Sequence, residues 1–123
     1  MLRIVGLQRS DCPEREFVLL QNQGSLKVRL RGHVLLSERA VGSGDLTSAA
    51  HVFQDDVQVP AGLYVLLTTG CGSPHWSRTR DGMYVYQCFM GQDSAFWQNL
   101  AGPVHVMGPL HTFAERGEAL RLR

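Results

Sequence analysis

The chain has 123 residues, a length that fits one domain with its own core. Its hydrophobic fraction of 44% argues against disorder, and its formal charge of +1 argues against a uniformly basic nucleic-acid binder. No apolar run approaches the ~20 residues of a membrane-spanning helix, and Gln8 to Asp11 end the first apolar stretch too early for a signal peptide.

Taken in order, Leu2–Gln8 reads as a first strand and Arg9–Pro13 as a polar turn. Arg15–Asn22 is a second strand, closed by the turn signal Asn22-Gln23-Gly24-Ser25. Leu26–Arg31 alternates strictly, with Leu26, Val28 and Leu30 against Lys27, Arg29 and Arg31, the period of a half-buried strand. Gly32 allows a bend, and His33–Ser37 resumes the extended chain. Glu38–Ser48 is rich in Gly, Ser and charge and has no periodicity, so a mobile loop is expected there. His51–Phe53 is a short strand, Asp55-Asp56 begins a turn, and Val57–Pro60 leads into Pro60-Ala61-Gly62, which launches Leu63–Thr69. Gly70–Asp81 is expected as a second long loop. Met83–Phe89 is a strand with Tyr84 and Tyr86 on one face and Val85 on the other. Gly91–Ser94 turns into Phe96-Trp97-x-Asn99, and Ala101-Gly102-Pro103 breaks the chain again. Val104–Met107 and Ala119–Arg123 are closing strands, with a single helical turn over Ala114–Leu120 as the alternative for the end. Short strands punctuated by Gly, Pro and Asn are the pattern of an all-β sandwich or barrel.

Several of these residues stand in an order that resembles the lamin-tail domain. They are Glu16-Phe17-Val18-x-Leu20-x-Asn22, Leu30-x-Gly32, Phe53, Pro60-Ala61-Gly62 before an apolar strand, Gly70, and Trp97-x-Asn99. The resemblance runs from about Ile4 to about Leu122 and is to the bacterial type of member, since no coiled-coil heptads are present. It implies an all-β, immunoglobulin-like β-sandwich of about 8–9 short strands over a single domain, 1–123. Its members are mostly non-catalytic modules that bind proteins, in lamins also DNA and chromatin, and in bacteria they often accompany exported enzymes. His33 stands where the family usually buries a large aromatic, and Val104–Gly117 resembles an insertion. If the alignment holds, His33 is partly buried and hydrogen-bonded, and Val18, Leu20, Leu30, Leu35, Phe53, Val65, Leu67 and Trp97 share one core.

The candidate sites follow from strand parity. With Val18, Leu20 and Leu35 inward, Phe17, Leu19, Val34 and Leu36 face outward, and on paired neighbouring strands they would form an apolar association surface for a protein partner or a homodimer. The basic stripe Lys27, Arg29 and Arg31, echoed by Arg121 and Arg123, is the alternative: a nucleic-acid site, or simply a charged edge that blocks aggregation. The Gly70–Asp81 loop offers an enzyme or metal module. Cys71-x-x-x-His75 with Cys12, Cys88, His105 or His111 has zinc-ligand types but no paired cysteine spacing. Cys71 or Ser73 with His75 and Asp81 has triad types but no nucleophile elbow. Trp76 in the same loop could anchor a partner or plug one end of the fold. Asp55-Asp56 is too sparse for calcium and reads as turn chemistry. No metal, cofactor or catalytic residue is implied. Cys12, Cys71 and Cys88 are expected as three thiols, because a core of this size needs no bridge. The compartment stays open.

Overall fold

A computed structural model describes residues Met1–Pro109. The expected closing strand Ala119–Arg123, the alternative turn Ala114–Leu120, His111 and the cations Arg121 and Arg123 lie outside the described residues.

The fold is all-β with one short helix. Ten strands are described: β1 (Leu2–Gln8), β2 (Phe17–Asn22), β3 (Val28–Arg29), β4 (Val34–Ser37), β5 (Ala50–Val52), β6 (Gln58–Val59), β7 (Tyr64–Thr68), β8 (His75–Arg78), β9 (Tyr84–Phe89) and β10 (Val104–Met107). They form a five-stranded sheet in the order β1-β2-β7-β9-β8, a three-stranded sheet β10-β4-β5 and the pair β3-β6. Every pairing is antiparallel except β7 with β9, which run parallel because β8 carries the chain out to the edge and back.

Alternation builds the core. In β2 and β7 every second side chain is fully buried, and Val18 sits opposite Leu67 as Leu20 sits opposite Val65. Leu30, Leu35, Phe53 and Trp97 join them from other segments, and all eight expected core residues lie in one cluster, each no more than 1% exposed. Burying a side chain of this kind stabilises the fold by about 1.5–3 kcal/mol.

Three expectations fail locally. Glu38–Ser48 is not wholly loop: α1 (Glu38–Ser43) opens it. Ser37 Oγ accepts from the Ala40 N–H at 3.1 Å, and Gly44, at φ 74°, ends the helix by donating its N–H to the Ala40 carbonyl. The Gly70–Asp81 loop contains the edge strand β8. The stripe from Leu26 to Arg31 keeps ladder geometry only at Val28–Arg29, and Leu26 is 77% exposed instead of inward, because it lies in the turn that follows β2.

Two polar side chains at opposite ends of β2 organise the molecule, and both are fully buried. Just before the strand, Glu16 accepts hydrogen bonds from the Thr69 hydroxyl at 2.8 Å and from the backbone N–H groups of Phe96, Trp97 and Gln98 at 2.8, 2.9 and 2.8 Å. It thereby caps the one-turn 3-10 helix Trp97–Asn99, whose first N–H groups would otherwise be orphaned. Burial pushes the Glu16 carboxyl pKa up, but the bonds from Phe96, Thr69, Trp97 and Ser10 outweigh it and hold the group below its ordinary value. At the far end, the Asn22 amide is saturated. Its oxygen accepts from the Met1 amine and the Gly24 N–H, both at 3.0 Å, and its nitrogen donates to the Leu26 and Val59 carbonyls, both at 2.9 Å.

Candidate binding groove

The expected apolar surface does not assemble. β2 lies between β1 and β7 in one sheet, while β4 lies between β10 and β5 in another, so the two strands are not paired neighbours. Phe17 and Leu19 face away from the core and are half-buried, as is Val34. Leu36 is 6% exposed and belongs to the core cluster together with Ala40 of α1. Ser37 caps α1 directly after β4, and α1 contributes Ala40 to that cluster. Phe17, Leu19, Val34 and Leu36 therefore do not make one association face.

The basic stripe fares differently. Lys27, Arg29 and Arg31 line a groove of about 910 Å³ at the Asn22 end. Arg3 from β1 lines it as well, which the stripe alone did not predict. Leu2, Val28 and Val106 form apolar parts of its wall, and Met1 and Leu26 stand exposed on it. The shape follows from Asn22, which ties the turn through Leu26 and the end of β6 to the start of β1.

The charges in the groove are unevenly matched. Arg29 Nε lies 3.4 Å from Asp56 Oδ1, a solvent-exposed pair. Among the described residues no carboxylate pairs with Arg3, Lys27 or Arg31, and Arg3 Nε donates only to the Met1 sulfur at 3.3 Å. His33 also lines the groove, buried to 7% exposure, with Nδ1 3.0 Å from the Leu30 carbonyl oxygen. Burial lowers its pKa, favouring the neutral ring. The expected hydrogen bond of His33 is present, and its burial is deeper than the partial burial expected. Its ring also sits so close to Gly108 that a Cβ there would lie 2.5 Å from Nε2, and only glycine fits.

The remaining candidates scatter. His75 stands exposed on β8 with Nδ1 2.7 Å from the Ser73 carbonyl oxygen, while Asp81 lies in the turn beyond the far end of that strand. Cys12 and Cys71 are exposed and Cys88 is buried, all unbridged, and burial pushes the Cys88 thiol up to about 12. Among the described residues no three His, Cys, Asp or Glu side chains converge. Trp76 is 37% exposed and meets Tyr86 edge-on at 5.3 Å. Asp55 accepts from the Tyr86 hydroxyl at 2.7 Å, and Asp56 serves Arg29. No helix among the described residues is long and apolar enough to cross a membrane.

No family model matches the chain. No curated protein and no solved structure matches it either. The site is therefore read from its own geometry. What that geometry offers is a cationic rim over apolar walls.

Proposed function

We propose that this domain is a non-catalytic binding module and that its site is the cationic groove, occupied by an acidic segment of a protein partner. The observation that carries the reading is the convergence of Arg3, Lys27 and Arg31 on one concavity with no carboxylate to neutralise them among the described residues. Exposed cations grouped in this way steer and select an oppositely charged partner more than they add raw affinity. The exposed Met1 and Leu26 supply apolar contact that a peptide side chain can bury against. A nucleic acid fits the groove less well, because among its described lining residues the one aromatic ring is that of the buried His33, which offers an unpaired base no open face to stack on. The resemblance to the lamin-tail domain, an immunoglobulin-like sandwich whose members mostly bind proteins, supports the same reading.

Fluorescence anisotropy of a labelled synthetic peptide that alternates Glu and Val tests it. Salt-sensitive binding, lost in the double variant Lys27→Glu/Arg31→Glu, is the expected result. Peptide binding that survives the charge reversal would overturn the reading. So would tight binding of an oligothymidylate that the peptide fails to displace.

A further inference from the structure

The groove reading has a consequence for how the partner lies, and it rests on that reading. Among the described residues β1 pairs only with β2 and β10 only with β4, and both contribute to the groove's lining. The register settles which backbone groups face outward from β1. Leu2 is the partner of Asn22, yet the Asn22 N–H donates to the Leu63 carbonyl at 2.9 Å and its carbonyl accepts from Gly62 at 2.7 Å, both on the far side of β2. The pair Leu2–Asn22 is therefore a non-hydrogen-bonded one, and the flanking Met1 carbonyl accepts from Gln23 instead. By the alternation of an antiparallel ladder, Leu2 and Ile4 both direct their N–H and C=O groups away from β2. Among the described residues no hydrogen-bond partner reaches those four groups.

We propose that the acidic segment binds as an added strand on the edge of β1, completing the ladder at Leu2 and Ile4. In an extended chain side chains alternate, so one set meets the apolar walls at Leu2 and Val106 while the other presents carboxylates to Arg3, Lys27 and Arg31. The register shift between Ile4 and Gly6 interrupts the ladder just beyond, so the added strand is short. Arg3 gives the edge its selectivity. A basic strand, including a second copy of β1 brought alongside, would set like charges against each other, which is how edge strands are guarded. An acidic strand would turn that guard into a contact.

Two peptides of the same alternating Glu and Val sequence, N-methylated at complementary sets of alternate residues, separate this mode from simple charge capture. In an added strand only one set of amides faces β1. Methylating that set is expected to weaken binding about tenfold or more, as loss of two backbone hydrogen bonds requires, while methylating the other set leaves affinity within about threefold. Equal affinity of the two methylated peptides overturns the added strand, and if the unmethylated peptide still binds in a salt-sensitive way the groove reading stands without it. Failure of the unmethylated peptide to bind overturns both.

Discussion

The two ends of β2 each bury one fully hydrogen-bonded polar side chain, and they put it to opposite uses. At the Glu16 end the molecule is closed. Glu16 gathers the Phe96–Gln98 backbone, and the Arg9 guanidinium fastens the carbonyls of Trp97, Leu100 and Gly102. At the Asn22 end the same kind of hub shapes a wall and leaves Arg3, Lys27 and Arg31 without a carboxylate partner among the described residues. Charge is spent on the fold at one end and left for a partner at the other. Changes at the closed end should therefore move stability, and changes at the open rim should move binding.

The largest expected effect is at Trp97. Replacing it with Ala empties a fully buried site and should cost about 3–5 kcal/mol in urea unfolding. Its indole N–H is buried without a partner among the described residues, so Trp97→Phe should cost far less than Trp97→Ala. Glu16→Ala comes next, at about 3 kcal/mol, because it strands several buried donors at once. Folding lowers the Glu16 pKa, so its contribution is fully present above the ordinary value of 4.5 and is lost as pH falls through the lower folded value. Stability measured against pH in Glu16→Gln should lose that acid-side slope.

At the open end the effects shrink. His33→Trp should destabilise by about 1–3 kcal/mol, since the pocket has closed around the smaller ring against Gly108. Folding also lowers the His33 pKa, so its contribution is present above the ordinary value of 6.5 and is lost as pH falls through the depressed value. The smallest stability change belongs to Lys27→Glu, within about 0.5 kcal/mol by denaturation, although it should weaken peptide binding clearly.

How much of this could be read from the chain differs between the two ends for physical reasons. The core was legible because strand parity is local: Val18, Leu20, Val65 and Leu67 announce their face by alternation alone. Lys27, Arg29 and Arg31 were legible as a stripe, but their meeting with Arg3 depends on Asn22 tying residues far apart in sequence, which no local pattern encodes. Leu36 went astray because parity says nothing of what folds over a strand. The helix that follows it does carry a signal, a Ser37 cap with Glu38 behind it and Gly44 at its end, outweighed by the glycine-rich composition of the segment. β8 was hidden in the same way, as an edge strand with exposed polar residues and little alternation.

The most direct test of the central claim is an amide chemical-shift titration of the folded chain with the acidic peptide. The account predicts that the perturbed residues gather at Leu2–Ile4 and Leu26–His33 and leave Glu16 and Phe96–Gln98 untouched. Perturbations centred on the Glu16 end, or none at either, would contradict it.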